Sequence, residues 1–174
     1  MLLLILWAII SYNGFIKAKL AVDNSYSQIN IQCKKRFDLV PNLVETVKGY
    51  ANYEKTALED VIKARSGYLS AGTNTAQALQ ADGALNGALS KLFALSESYP
   101  ELKANAGFRD LQKSLENIEQ KIVYARQFHN DSVLKLNNKV EMFPSRLIAD
   151  LFKFRQEPFF EAAEAERENI KVSF

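Results

Sequence analysis

The sequence predicts an all-α protein, an antiparallel up-and-down bundle of about four long helices with an N-terminal membrane helix. Three observations lead there. Apolar residues recur in steps of three and four along most of the chain, as one face of a helix requires. The breaks between these runs are short clusters of Gly, Asn, Ser and Pro, and short turns between long helices set sequential helices antiparallel. No run reads as a strand longer than the closing Val172-Ser173-Phe174.

The chain opens with an uncharged stretch from Met1 to Ile16, followed by Lys17 and Lys19. A spanning helix needs about 20 apolar residues, a length reached here if Ala18 to Val22 join and the lysines snorkel. No positive charge precedes the stretch and no small-residue cleavage pattern follows it, so an uncleaved anchor over residues 1–22 fits better than a secretory signal. The bland alternative is a buried helix of a soluble protein. Lysines on one side only place the N-terminus outside and the remaining domain, residues 23–174, in the cytoplasm at the cell membrane.

Beyond the anchor an apolar stripe runs Val22, Tyr26, Ile29, Cys33, Phe37, Val40, Val44, Val47 and Ala51. Pro41 interrupts it. Asp38 is placed to cap a new helix with Pro41 in its first turn, which predicts a kink or short break. The stripe resumes at Leu58, Val61, Ile62 and Leu69 and stops at Ala71-Gly72-Thr73-Asn74. A third helix covers Thr75 to Ser96, and its Gly83 and Gly87 predict close approach of a neighbouring helix. After a turn at Tyr99-Pro100, Phe108, Leu111, Leu115, Ile118, Ile122, Ala125 and His129 repeat with heptad spacing. Val133, Leu136, Val140 and Phe143 extend that helix to Pro144. A short amphipathic piece at Leu147 to Phe152 then leads through Pro158-Phe159-Phe160 to an acidic, helical segment with Glu161, Glu164, Glu166 and Glu168.

These residues carry a resemblance. The stretch QCKKRFDLVPNLVETVKGYA, Gln32 to Ala51, is similar to the signature block of the LemA family of bacterial membrane proteins. Further blocks agree in order, among them Ala64-Arg65, Tyr99-Pro100-Glu101-Leu102-Lys103-Ala104-Asn105, Asn130, Asn137, Phe143-Pro144 and Phe159-Phe160-Glu161. The resemblance covers essentially the whole chain. It implies one N-terminal membrane helix, a cytoplasmic helical bundle and no established enzymatic activity. Two departures stand out: His129-Asn130 and Leu136-Asn137 replace the family's two Tyr-Asn pairs, and Tyr53-Glu54 replaces its His-Glu.

With 174 residues, 48% hydrophobic and 24% charged, the chain can bury one domain's core. A net charge of +2, from 22 basic and 20 acidic side chains, lacks the concentrated field of a nucleic-acid binder. Cys33 and His129, each the sole residue of its type, exclude disulfide frameworks, multi-cysteine or two-histidine metal sites and the di-iron Glu-x-x-His pair. No catalytic residue, metal site or cofactor is therefore expected; a carboxylate-only Mg²⁺ or Ca²⁺ site drawn from Glu54, Glu97, Glu119 or Asp150 is the minor alternative.

Three groups of residues remain as candidates. Lys34, Lys35 and Arg36 with Asp38 suit an acidic partner or anionic headgroups, or are simply paired on a solvated face. A straight helix would carry them roughly 27 Å past Lys17, which disfavours lipid. Tyr26 and Ile29 belong to a stripe that precedes the bundle proper and would be partly uncovered in a monomer, which points to a homo-oligomer. Asn130 and Asn137 share a helix face and are expected to bond across an inter-helix seam with Asn42 or Glu54, fixing register. The function this supports is a membrane-anchored, non-enzymatic scaffold or assembly protein, whose partners are the bilayer, its own copies and other membrane proteins. The alternative is a ligand-sensing or enzymatic helical domain with an interior polar pocket.

Overall fold

A computed structural model describes residues 1–50, 55–71 and 75–160. The described residues form six helices: α1 (Leu2–Lys48), α2 (Lys55–Ala71), α3 (Thr75–Ser96), α4 (Pro100–Ala104), α5 (Ala106–Glu141) and α6 (Arg146–Phe152), with no strand among them. The all-α class is as expected, and α3 has the bounds expected from sequence, Thr75 to Ser96. The acidic segment from Glu161 and the closing Val172-Ser173-Phe174 lie outside the described residues.

The chain divides into two compact units, to which α1 and α5 each contribute a segment. In the unit holding residues 1–32 and 121–160, α1 and α5 are antiparallel. Phe15 lies beside Lys139 and Ser25 beside His129. The core is Phe15, Val22, Val133, Leu136, Ile148 and Ala149, with Trp7, Tyr12, Val140 and Phe154 packed on it. Residues 12–22, placed in the anchor by sequence, thus supply part of a protein core. After α5 the chain turns through a cis Phe143-Pro144 bond into α6. The Ser145 hydroxyl lies 2.8 Å from the carbonyls of both Lys139 and Met142; the Met142 carbonyl already accepts from the Arg146 amide at 2.9 Å, so the hydroxyl's one proton is available to the Lys139 carbonyl at the end of α5. Residues 154–160 then run back without regular structure, Phe154 stacking on Phe15 at 4.7 Å.

The second unit, within residues 33–120, is built on the α2–α3 hairpin. Asp60 meets Lys91 at 3.6 Å and a Cβ on Gly67 would touch Ala81 at 3.7 Å, so the two helices are antiparallel. The close approach expected at Gly83 and Gly87 is absent, with nothing described within 4 Å of a Cβ at either. Phe37, Val40, Leu43 and Val47 of α1 are buried, as are Leu85, Leu92, Leu102 and Phe108. Asn105 opens α5: its Oδ1 accepts from the Phe108 amide at 2.9 Å and its Nδ2 donates to the Tyr50 hydroxyl at 2.9 Å.

The break expected at Pro41 does not occur, and α1 runs through it. A proline has no N–H for the carbonyl four residues earlier, here that of Phe37. Arg65 of α2 supplies the missing donor, its Nε reaching the Phe37 carbonyl at 3.4 Å while Tyr68 stacks on the Phe37 ring at 3.8 Å. Asp38 caps nothing; it pairs with Lys34 one turn back at 2.9 Å.

Candidate functional site

Asn130 and Asn137 sit two turns apart on α5, about 10.5 Å along its axis. Three residues of extended or polyproline-like chain cover nearly the same distance, about 9–10 Å. The structure uses this match. Asn137 donates to the Glu157 carbonyl and accepts from the Glu157 amide, both at 2.9 Å. Asn130 donates to the Phe160 carbonyl at 3.0 Å and accepts from its amide at 2.7 Å. Each carboxamide therefore closes a two-bond ring with a backbone residue, as a neighbouring strand would. Pro158 falls between the two and its missing N–H costs nothing. The Phe160 ring lies under the Arg126 guanidinium at 4.8 Å.

This replaces the expected inter-helix network. Asn130 and Asn137 hold the returning segment 157–160 instead of another helix. Asn42 is exposed and its carbonyl accepts from Thr46 at 2.8 Å. Glu54 lies outside the described residues. Sequence periodicity had no means of showing this, because the partner segment has no helical pattern of its own.

Beside Asn130 on α5, His129 is buried and its Nδ1 lies 2.9 Å from the Ser25 hydroxyl, which in turn donates to the Val22 carbonyl at 2.7 Å. The serine's single proton is thus spent on the carbonyl, and the imidazole donates to the serine. Burial lowers the His129 pKa below its ordinary 6.5, with the Val22 carbonyl and the Glu157 carboxylate pulling the other way. Ser25 is the residue that sequence reasoning missed. Its hydroxyl is fully enclosed, so the pair has no substrate access and acts as a packed polar contact.

Of the proposed surface residues, Lys34, Lys35 and Asp38 are exposed. Arg36 is not. It is 1% exposed and bonds the carboxylates of Asp82 on α3 and Glu119 on α5. The signal was present in sequence: Arg36 lies three residues after Cys33 and four before Val40, inside the buried arc of the stripe. Ile29, 2% exposed, and Tyr26, half-buried with its ring 5.8 Å from that of His129, are covered within one chain. The stripe expected to be partly uncovered is core, because residues 121–160 fold back on this part of α1.

Among the described residues no group of three or more His, Cys, Asp or Glu side chains is placed to hold a metal ion. A groove of about 620 Å³ lies over α2 and α3, lined by Lys63, Ser70, Gln77 and Gln80 and by small residues such as Ala84 and Gly87. Its carboxylate, Asp60, faces Lys91.

At the other extreme of burial, α1 contains a window apolar enough to cross a membrane by length and composition. Leu2, Leu3, Leu4, Ile5, Leu6, Ile9 and Ile10 are all exposed.

Comparison with known proteins fits this arrangement. The family model described as LemA family matches residues 25–174. Protein LemA of Metamycoplasma hominis is 20% identical over 92% of this chain and 74% of its own length. Magnetosome proteins MamQ 2 and MamQ 1 of Paramagnetospirillum magneticum are each 23% identical over 86% of this chain, which spans 64% of their length. With its signature block, its asparagine pair and its match from residue 25 to residue 174, the chain belongs to the LemA family.

Proposed function

We propose that the chain is a membrane-anchored scaffold or assembly protein without enzymatic activity, held at the bilayer by the apolar end of α1 with its helical domain on the cytoplasmic side. The observation that carries this is the exposed apolar end of α1. Seven large aliphatic side chains between Leu2 and Ile10 face outward on a helix whose continuation is buried protein. Water disfavours such a surface by about 25 cal/mol for each Å², and a bilayer does not. The interior polar groups support the non-enzymatic half of the reading, since the asparagine amides, Ser25, His129 and Arg36 are engaged in bonds that hold segments together. In this reading the partners are the bilayer, a second copy of the chain and other membrane proteins meeting Lys34, Lys35 and Asp38. Crosslinking in native membranes, followed by identification of what is trapped, tests it. The expected result is a membrane-bound chain that yields discrete crosslinked species; a chain released by washing without detergent overturns the anchor, and membrane-bound protein with no crosslinked species overturns the scaffold.

A further inference from the structure

We propose that the corner between α5 and α6, Met142 to Phe152, is a second membrane-contact element that lies in the headgroup boundary beside the apolar end of α1. This rests on the reading of α1 as the anchor. Met142, Phe143, Leu147, Leu151 and Phe152 are exposed, whereas Ile148 and Ala149 of the same corner are buried and fix it to the core. Continuing the antiparallel register of Phe15 with Lys139 and Ser25 with His129 sets Met142 and Phe143 level with Tyr12 and Ser11. The Phe152 ring confirms the level, 4.7 Å from that of Tyr12. The corner's apolar surface is therefore continuous with the exposed Ile9 and Ile10 of α1.

Charge supplies the depth. Lys139 reaches the Gly14 position and lies 5.8 Å over the Phe15 ring, so its ammonium marks a level that stays polar. From Phe15 to Ser11 is about 6 Å of helix, within the roughly 5–10 Å to which interfacial elements sink. The backbone at the tip is prepared for a dry setting, because Ser145 lies on the carbonyls of Lys139 and Met142. Arg146, paired with Asp150 at 3.8 Å, and Lys153 border the apolar group, and with Lys139, Glu141 and Arg155 they leave its rim net positive. Anionic headgroups complement that rim, which makes lipid the occupant.

The test uses the full chain carrying Cys33→Ser, with an environment-sensitive fluorophore on Leu151→Cys or, in parallel, on Leu4→Cys. Each is reconstituted into phosphatidylcholine–phosphatidylglycerol vesicles containing a shallow lipid-borne quencher. The expected result is loss of most of the fluorescence at both positions. Quenching at residue 4 with a water-exposed probe at residue 151 overturns the corner and leaves the anchor standing. No quenching at either position overturns both. A probe at 151 shielded from water yet untouched by the lipid quencher shows a second copy on the corner and overturns the proposal.

Discussion

Replacing Asn137 with alanine removes two hydrogen bonds at once and leaves the Glu157 amide and carbonyl without the partners they have at 2.9 Å. Each such bond contributes a net ~0.5–1.5 kcal/mol, so the segment loses about 1–3 kcal/mol of local stability. At ~1.4 kcal/mol per tenfold, opening of residues 157–160 rises roughly 5- to 140-fold. The effect is local, because Phe154 still stacks on Phe15 and the helices keep their cores. Hydrogen exchange on the full chain reads it directly. The Glu157 amide loses protection by that factor in Asn137→Ala, and the Phe160 amide does so in Asn130→Ala. Asn137→Asp keeps an acceptor for the amide but sets a carboxylate against the Glu157 carbonyl, so it recovers little. The two alanine variants act on one segment and combine non-additively. Protection at Glu157 that is unchanged in Asn137→Ala would refute the reasoning.

Four further outcomes are expected. Arg36→Ala leaves the Asp82 carboxylate buried without its guanidinium and destabilises the chain by about 3–5 kcal/mol in denaturant unfolding, whereas exposed Lys34→Ala costs no more than about 0.5 kcal/mol. Arg65→Ala costs about 0.5–1.5 kcal/mol in the native sequence and less in a Pro41→Ala background, where residue 41 regains the N–H that the Phe37 carbonyl needs; equal costs in the two backgrounds would remove the link. Because the His129 pKa is lowered in the fold, the unfolded chain binds the proton more readily. Stability is complete above about pH 6.5 and falls as the pH drops from there toward the folded value, a slope that His129→Gln abolishes in unfolding curves taken across that range. Ile29→Glu, which buries a carboxylate where the side chain is 2% exposed, lowers helical content and the unfolding midpoint by circular dichroism. Retention of the fold with only a change in oligomeric mass would return that stripe to the surface.

Local pattern makes the helices legible, from the turn residues that bound α3 to the heptads that give α5 its length. Long-range partners were not legible. The break expected at Pro41 follows from what proline does to a lone helix, but the donor that meets the freed carbonyl, Arg65, lies on another helix 24 positions later. Arg36 looked solvated beside Lys34 and Lys35, since charge alone says nothing of the two carboxylates that meet it. The spacing of Asn130 and Asn137 puts two amides on one helix face, but it does not show that their partner is the backbone of residues 157 and 160. Residues 154–160 have neither heptads nor alternation, so nothing in their pattern announces where they dock.

The asparagine pair holds that segment through its backbone. Neither Asn130 nor Asn137 touches a feature that distinguishes one amino acid from another at positions 157 and 160. The pair works as a ruler: two marks on a helix that accept a chain of the right span whatever its side chains. Side-chain substitutions at Glu157 or Phe159 leave the graduation unchanged. One residue inserted between 157 and 160 lengthens the span by about 3 Å, enough that a chain seated on one mark misses the other. Length between the marks, rather than composition, is what this part of the sequence must preserve.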